Sequence, residues 1–389
     1  MNKRKWEYKK LGAVVDFYRG LTYKREDEVD LSDNCVLRSN NIDLESMSLN
    51  FDELKYIRPD FVIPEDKKLK ANSVFVCMSN GSKQHVGKVA YVKEDMDYAF
   101  GGFMGLIVPK REVEGKYIYY VCRSSIYRHF LTQIGNGIGI TNLRFSDLNE
   151  FSIPFPSLSE QQHIVEELDL LSSIIEKKKA QLNELDNLAQ SLFYEMFGDP
   201  ITNEKGWEVK KLGEICSFSQ GVQVDVSEQS TEKIAGWNRF LRIVDYTTDN
   251  DDIRYVKVND PKFIMNKDDI AMVRYGASVG TSGIGKEGVL ANNLFKINYS
   301  KYVFNMYYLL YSFHTKYFKA FINTVSFGAA MPALSFKVIK DFQILQPPFS
   351  CQQSFASKTE AIEHQKELIT QSIKEVETLF NSRMDYYFN

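Results

Sequence analysis

Two glycine-rich segments have the residue types of a phosphate-binding loop. They read GNGIG at 135–139 and GTSGIGK at 280–286. A loop that cradles a nucleotide phosphate needs the pattern GxxxxGK[ST] between a strand and a helix. Neither segment meets this requirement, because Lys286 is followed by Glu287 and neither lies in a clear strand–loop–helix unit. The segments are typical of turns, either plain ones or ones that let the backbone approach DNA.

A second candidate for chemistry is the phrase QPPF at 346–349. It is similar to the NPPF-type motif of adenine methyltransferases, in which an Asn or Asp side chain and a proline-fixed carbonyl hold the adenine amino group. Gln346 is one methylene too long for that role, and no glycine-rich cofactor loop lies upstream on a predicted strand. The phrase aligns instead with residues 154–156, where a helix is predicted to begin. We therefore predict no catalytic role for it.

Other groups capable of chemistry are scattered. The carboxylate pair at 166–167 lies on the solvated face of a predicted helix, and the pairs at 251–252 and 268–269 lie in predicted turns. No convincing nuclease-type PD…(D/E)xK pattern accompanies them. The histidines and cysteines show no CxxC or Cys/His metal spacing: His85, His129, His163, His314, His364, Cys35, Cys77, Cys122, Cys216 and Cys351. We predict no catalytic residue and no metal site.

The longest regular pattern in the sequence runs from Ser159 to Phe197. Its apolar residues recur at alternating steps of four and three, which predicts a helix that packs along its length on another helix. At about 1.5 Å per residue this helix would be roughly 58 Å long. Ser159 and Gln162 predict its N-cap and capping box, and Gly198 ends it. The stripe, skipped once at Lys178, is Ile164, Leu168, Leu171, Ile175, Leu182, Leu185, Ala189, Leu192 and Met196.

A second helix of the same design begins at Ser350. Adding 191 to a stripe position of the first helix gives one of the second, as for Ile164 and Phe355. Thr359, Lys366 and Arg383 interrupt this weaker stripe. We predict that the two helices pack on each other as an antiparallel coiled coil. The second stripe is Phe355, Ile362, Ile369, Ile373, Val376, Phe380 and Tyr387.

The rest of the chain is also duplicated. Residues 6–22 and 207–223 share eight of seventeen positions, including WExKKLG. Leu37-Arg38 returns as Leu241-Arg242, and each half closes on a similar phrase, at 143–162 and 334–353. The predicted order is a globular half at 1–158, a helix at 159–197, a linker at 198–206, a globular half at 207–349 and a helix at 350–389.

This layout predicts an α+β fold with two similar mixed α/β domains separated by two long helices. Predicted strands lie at 74–78, 86–92, 105–108 and 270–273, and aromatic-rich helices are predicted at 118–134 and 304–321. The duplication predicts a pseudo-two-fold object in which the helices hold the two domains at a fixed distance.

Composition places the chain among ordinary globular proteins. It has 389 residues, 44% of them hydrophobic and 25% charged, with a net charge of −3. A nucleic-acid binder of this charge must use local basic patches, because phosphate is repelled by an acidic surface. The basic N-terminus lacks the apolar run of a signal peptide, and no stretch is apolar enough to span a membrane. We expect a cytoplasmic protein.

The sequence resembles the specificity subunit (S subunit) of Type I restriction–modification systems along essentially its whole length. Four features carry the resemblance: the duplicated WExKKLG, the Leu-Arg phrases, the closing IPxPxLSEQQ-like phrase at 153–162, and the two helices at half-chain spacing. The second closing phrase departs from the pattern, because Cys351 stands where the first copy has Glu160.

The resemblance implies a non-catalytic DNA-sequence specificity subunit. Each globular half would be a target recognition domain that reads one half of a bipartite, asymmetric site in double-stranded DNA. The helices would set the unread spacer and dock two methyltransferase (M) subunits, and restriction (R) subunits would join the complex. No cofactor is expected on this chain, whereas S-adenosylmethionine, ATP and Mg are expected on the partner subunits.

The resemblance also directs the choice of DNA-binding residues. Lysine pairs at matching places in both halves are candidates for phosphate or partner contacts. Base readers should lie on loops, carry amide or bidentate-capable side chains, and differ between the halves. The candidates are Lys9, Lys10, Arg38, Asn80, Ser82, Lys83, Gln84, Asn136, Asn142 and Arg144 in the first half, and Lys210, Lys211, Arg242, Arg274, Tyr275, Ser278, Thr281, Met331 and Ser335 in the second.

Two alternatives stay open at this point. A fused DNA methyltransferase would bind S-adenosylmethionine, and the missing cofactor loop argues against it. A non-catalytic coiled-coil adaptor with two protein-binding domains would show duplex affinity that does not respond to sequence or salt.

Overall fold

A computed structural model describes residues 6–135, 141–248, 252–326 and 333–389. The chain divides into two compact units. Unit 1 comprises Met1–Lys178 and Ser372–Asn389, and unit 2 comprises Lys179–Gln371. Each unit therefore contains one globular half together with part of each long helix. None of the described helices combines the length and the apolar character that a membrane-spanning segment requires.

Unit 1 is built from short strands and helices in a mixed order. Its strands are β1 (Glu7–Lys10), β2 (Val15–Arg19), β3 (Glu28–Val29), β4 (Cys35–Leu37), β5 (Lys55–Ile57), β6 (Lys68–Leu69), β7 (Ser73–Cys77), β8 (Val89–Val92), β9 (Met96–Phe100), β10 (Met104–Pro109) and β11 (Ser152–Phe155). Its helices are α1 (Leu11–Val14), α2 (Gly115–Val121), α3 (Ser125–Ile134), α4 (Phe145–Glu150) and the first part of α5 (Leu158–Phe197). The strands form sheets ordered β1-β11, β2-β10-β7-β8 and β3-β5-β4-β9-β6.

Unit 2 repeats this plan. Its strands are β12 (Glu208–Lys211), β13 (Cys216–Gln220), β14 (Asn238–Leu241), β15 (Arg254–Val256), β16 (Ile264–Met265), β17 (Ile270–Val273), β18 (Ser282–Gly283), β19 (Gly288–Leu290), β20 (Leu294–Tyr299) and β21 (Gln343–Gln346). Its helices are α6 (Leu212–Ile215), α7 (Val244–Thr247), α8 (Met306–Ser312), α9 (Lys316–Ser326), α10 (Phe336–Ile339) and part of α11 (Phe349–Phe388). The sheets are ordered β12-β21, β13-β20-β17-β18 and β15-β14-β19-β16. The duplication seen in the sequence is thus a duplication of topology.

The inner strands β7 and β17 hold equivalent places in the two units and supply much of the core. Every residue of β7 and of β17 is buried, and both strands are rich in β-branched and other apolar side chains. The predicted strand at 270–273 matches β17, whereas the one predicted at 86–92 begins only at Val89. The preceding Gly87 has φ +85°, and a left-handed residue there interrupts an extended run.

The two predicted aromatic-rich helices are each broken in two, so the sequence prediction was wrong on this point. The breaks fall between α2 and α3 and between α8 and α9. Ser124 Oγ donates to Val121 O at 2.6 Å, and Thr315 Oγ1 donates to Ser312 O at 2.8 Å. Both hydroxyls are buried and satisfy carbonyls at the end of the first helix, which makes the break favourable.

Helix α5 begins before the predicted N-cap. It starts at Leu158, so the capping residue is Ser157 and the prediction of Ser159 with Gln162 was wrong. Ser157 Oγ accepts from Glu160 N at 3.3 Å, and Glu160 Oε2 accepts from Ser157 N at 3.3 Å. This reciprocal pair is a capping box. At the other end Gly198 adopts φ +78° and its N–H donates to Tyr194 O, which closes the helix.

The buried glutamines Gln161 and Gln352 tie each long helix to its globular half in the same way. Gln161 Oε1 accepts from Glu114 N and its Nε2 donates to Pro156 O. Gln352 Oε1 accepts from Asn305 N and its Nε2 donates to Pro347 O. These bonds satisfy backbone groups at the start of α2 and α8, so the repeated glutamine has a structural role.

In unit 1, α5 and α11 meet through apolar and charged contacts. Ile164 and Leu168 pack in the core together with Met384 and Phe388. Arg383, which interrupts the predicted stripe, pairs with Glu167 through Nη2–Oε2 at 2.9 Å. The hydrogen bond from Arg383 holds the pKa of the Glu167 carboxyl below the usual range. The interruption is therefore an ion pair between the helices.

In unit 2 the two helices run antiparallel. Asp186 pairs with Lys366 at 2.6 Å, and Phe193 and Phe197 pack edge-on against Phe355. Lys366, another interruption of the stripe, is again an ion-pair partner. The predicted stripe residues of α5 and α11 are all buried or half-buried. The most buried large side chains of α5 here are Phe193 and Phe197, one position after the predicted Leu192 and Met196.

Candidate nucleic-acid interface

In unit 1 the loops that follow β2, β4, β7 and β9 meet in one cleft of about 740 Å³. Because β2 and β7 both pair antiparallel with β10, their carboxyl ends lie at the same edge of the sheet. The polar and aromatic lining includes Arg19, Tyr23, Arg25, Glu28, Arg38, Asn40, Asn80 and Phe103. The cleft thus combines three arginines, amide side chains and aromatic rings with a single acidic residue.

Close backbone contacts fix these loops. Gly20 N donates to Met104 O at 3.2 Å and Gly101 N donates to Leu37 O at 2.9 Å. A Cβ at Gly20 would lie 2.0 Å from Gly101 O, so only glycine fits. A Cβ at Gly221 would likewise lie 2.2 Å from Ala291 O. The repeated glycine of the two halves therefore allows the loops that line each cleft to approach each other.

The Arg38 side chain is available to a ligand. Its backbone N–H donates to Asn41 Oδ1 at 2.8 Å, which fixes the residue at the end of β4. Within the described residues its guanidinium forms no ion pair, although its charge adds to the effect of Lys55 in lowering the pKa of the Glu28 carboxyl. Its buried Nε has no hydrogen-bond acceptor. Asn80 lies next to it, because Asn80 Nδ2 donates to Ser39 Oγ at 2.7 Å. A buried donor without a partner is costly and is expected to bind when a ligand fills the cleft.

The matching arginine of unit 2 is paired. Arg242 lines a cavity of about 480 Å³. Its backbone N–H donates to Asp245 Oδ2 at 2.8 Å, and its Nη1 lies 3.1 Å from Asp252 Oδ2. Hydrogen bonds from Arg254 and Arg242 hold the pKa of the Asp252 carboxyl below its usual range. Arg242 is therefore part of an ion-pair network, in contrast to Arg38, although the Nε of both arginines is buried without an acceptor.

Unit 2 offers a different arginine. Arg274 follows β17, and its guanidinium lies over the rings of Tyr275 and Phe336, 4.9 and 5.0 Å from their centroids. Phe336 in turn stacks on Phe218. Stacking on two rings holds the planar group in one orientation while its N–H donors stay available. The position equivalent to Arg274 in unit 1 is Met78. In each unit the backbone N–H of this residue donates to the turn before β10 or β20, and its backbone carbonyl accepts from the segment before α4 or α10.

Residues 3–187 and 204–378 match a family model described as the Type I restriction modification DNA specificity domain. The chain belongs to this family. Over 384 residues it is 24% identical to the Type I restriction enzyme EcoKI specificity subunit of Escherichia coli K12, covering 92% of this chain and 82% of that relative. It is 25% identical over 287 residues to the StySPI specificity subunit of Salmonella potsdam, covering 65% of this chain and 61% of that relative.

The fold agrees with a solved member of the family. The crystal structure of a Type I restriction–modification S subunit from M. genitalium superposes with a TM-score of 0.59 at 15% identity, covering 100% of this chain and 98% of that one. The predicted α+β architecture with two similar domains and two long helices is thereby confirmed. Matches to specificity subunits favour the specificity role over the methyltransferase and adaptor alternatives.

Several residues predicted for the specificity domains lie where the clefts form. Arg38 and Asn80 line the large cleft of unit 1, and Asn142 and Arg144 line an adjoining cavity of about 210 Å³. Arg242 lines the cleft of unit 2, and Thr281 lines a separate cavity of about 280 Å³. Arg274 and Tyr275 form the stacked group described above.

The other predicted residues are placed differently. Ser82, Lys83 and Gln84 are exposed on the loop after β7 and line none of these cavities, and Ser278 is half-buried in the loop after β17. Ser335 caps α10 by accepting from Val338 N at 3.2 Å, a local structural role. Asn136 and Met331 lie outside the described residues.

The repeated lysine pairs lie on strands β1 and β12 and contact acids. Lys10 pairs with Glu150, and Lys211 pairs with Asp341 at 3.0 Å. Lys9 lies 3.7 Å from Glu7, and Lys210 lies 2.5 Å from Glu208. The structure does not bring these lysines into the clefts, and a phosphate or partner contact for them stays a prediction.

Sequence reasoning missed Arg19, Arg25 and Phe103 in unit 1, and Gln223, Asn292 and Asn293 in unit 2. One signal was present for Arg19. It directly precedes the repeated glycine, and the second half has Gln220 there, so the position differs between the halves as a base reader should. For Phe103 the sequence shows only its place after Gly101-Gly102. In the described part of the chain, no group of three or more His, Cys, Asp or Glu side chains is placed to hold a metal.

Proposed function

We propose that this chain is the non-catalytic DNA-specificity subunit of a Type I restriction–modification complex. Unit 1 reads one half of a bipartite, asymmetric site in double-stranded DNA, and unit 2 reads the other half. One observation carries the proposal: both units place a cleft of mixed polar and apolar lining at the same point of the same topology, but line it with different side chains. Two duplicated domains that recognise different DNA sequences need a cleft at the same place with a different set of lining side chains.

The lining residues suit base edges. Arginine binds guanine through two hydrogen bonds and amide side chains bind adenine in the same manner, each worth about 1–3 kcal/mol of discrimination. Unit 1 offers Arg38 and Asn80, and unit 2 offers Asn292 and Asn293. Both recognition domains belong to one chain. When one domain binds its half-site, the effective concentration of the other domain near the second half-site rises.

The proposed partners are two methyltransferase subunits, with restriction subunits in the full complex. S-adenosylmethionine, ATP and Mg belong to those partners, and the complex acts on DNA in the cytoplasm. Exposed leucines on the long helices support docking of partner subunits there: Leu170, Leu188, Leu368 and Leu379 are 62%, 54%, 57% and 49% exposed. Apolar side chains of this size gain free energy when a partner removes them from water.

We further propose that the long helices set the length of unread DNA between the half-sites. The test is to insert seven residues of heptad pattern into both α5 and α11, after Lys178 and after Gln371. The insertion adds about 10 Å and returns the apolar stripe to nearly the same face, so the gap should grow by roughly three base pairs. The recognised motif is read by sequencing modified adenines after co-expression with the methyltransferase subunit.

A matched control inserts five residues at the same two places. The added length is similar, but the stripe rotates by about 140°, so the helix pair should lose its packing and methylation should be lost. A heptad variant that methylates the motif with its original gap would show that the helices do not set the spacer.

A further inference from the structure

Phe103 is an apolar side chain that the fold does not bury. It lies in the turn between β9 and β10, and its side chain is 72% exposed. The ring is not part of any apolar cluster among the described residues. A single exposed apolar side chain is common on protein surfaces and needs no explanation by itself. Phe103 differs because its ring lines the cleft that is proposed to bind DNA.

Hydrogen bonds hold the backbone that carries this ring in place. Phe103 O accepts from Met78 N at 2.9 Å and from Ser79 N at 3.1 Å. Met104 N donates to Gly101 O at 2.8 Å and closes the turn. A turn fixed by three backbone hydrogen bonds loses little backbone freedom on binding, which suits a segment that inserts a side chain into a partner.

The surroundings of Phe103 suit nucleic acid. The ring lines both the large cleft and the adjoining cavity, so it stands at the ridge between them. Arg19 lines both cavities as well, Arg38 lies in the first, and Arg144 lies in the second. The acidic residue of the large cleft, Glu28, is paired with Lys55 at 2.9 Å. Arginines attract phosphates on both sides of the ring, whereas an apolar protein partner would gain nothing from them.

The feature belongs to one unit only. Arg274 N donates to Asn293 O at 2.9 Å, as Met78 N donates to Phe103 O, so Asn293 holds the equivalent turn position in unit 2. Asparagine can bind base edges by hydrogen bonds but has no ring to place against a base. The two units therefore differ in the kind of contact that they offer, and not only in sequence preference.

We infer that Phe103 inserts its ring at one base step of the half-site bound by unit 1 and unstacks that step. Apolar wedges of this type act on DNA by separating neighbouring base pairs. The half-site bound by unit 2 stays stacked. Recognition by unit 1 thereby depends on how easily this base step deforms, and also on the hydrogen-bonding groups of its bases. The inference rests on the proposed function.

The test uses the complex of the full chain with its methyltransferase subunits and the duplex that methylation mapping identifies. 2-Aminopurine replaces single adenines in both half-sites, except the methylated adenines, which the methyltransferase itself takes out of the stack. Binding should raise the fluorescence at one step of one half-site. Phe103→Ala should abolish this rise and weaken binding roughly tenfold to a hundredfold, as loss of a base–aromatic contact does. Phe103→Trp should retain both.

The control is Tyr302→Ala, which removes a ring that is 92% exposed and lies outside the clefts. It should change neither fluorescence nor affinity. Equal binding and fluorescence by wild type and Phe103→Ala would overturn the inference. So would a Phe103→Ala chain that fails to assemble with the methyltransferase, because the ring would then be a protein contact. A wild-type complex that shows no preference for any sequence would instead overturn the proposed function.

Discussion

Replacing Arg38 with lysine is expected to relax the recognised DNA sequence at one position of one half-site. Lysine keeps the positive charge but loses the planar fork that binds two acceptors of a base at once. Discrimination at that position should fall by about 1–3 kcal/mol, a loss of roughly 5-fold to 150-fold against the wrong base. The measurement is the distribution of methylated sites in host DNA after co-expression with the methyltransferase subunit.

The duplicated chain supplies the matched control, Arg242→Lys. Arg242 Nη1 lies 3.1 Å from Asp252 Oδ2, so its guanidinium already has a carboxylate partner within the protein. Its replacement should lower stability or the amount of methylation while leaving the motif unchanged. The opposite pattern, with Arg242→Lys relaxing the motif and Arg38→Lys leaving it intact, would contradict the assignment of the two roles.

The largest expected effect on stability is that of Phe355→Ala. Phe355 is fully buried and packs against Phe193, Phe197 and Tyr311, so it joins both long helices to the globular part of unit 2. Removing the ring leaves a cavity that the surrounding aromatic residues fill only in part. The free energy of unfolding of unit 2 should fall by about 3–5 kcal/mol, measured by denaturant titration of the isolated chain.

Leu368→Ala is the control for this change. It removes a large apolar group from the same helix at a position that is 57% exposed, and it should alter the unfolding free energy by less than about 0.5 kcal/mol. Equal losses for the two variants would mean that Phe355 is not the packing centre of the unit.

The sequence predicted the long helices within one residue at their ends, because the heptad pattern and Gly198 are local signals. It also predicted that Ile164 and Phe355 occupy equivalent places, and both are buried. It did not predict the burial of Phe193 and Phe197 ahead of Leu192 and Met196. Helix α5 packs there against Tyr308 of α8 as well as against α11, which moves its buried face off the heptad stripe.

The candidate site was predictable only in part. Loops after buried strands were expected to carry base readers, and Arg38, Asn80, Asn142 and Arg144 do line the cavities of unit 1. The difference between Arg38 and Arg242 was not visible, because both stand in the same Leu-Arg phrase. It depends on Asp252, ten residues after Arg242, and only the fold brings the two side chains within 3.1 Å.

The measurement that tests the central claim most directly is methylation mapping with and without this chain. The cognate methyltransferase subunit is expressed alone and together with the chain, and modified adenines in the host DNA are located by sequencing. The account predicts a split motif, two short blocks separated by a fixed gap, that is present only when the chain is expressed. An assembled complex with an active methyltransferase that produces no new motif would contradict it.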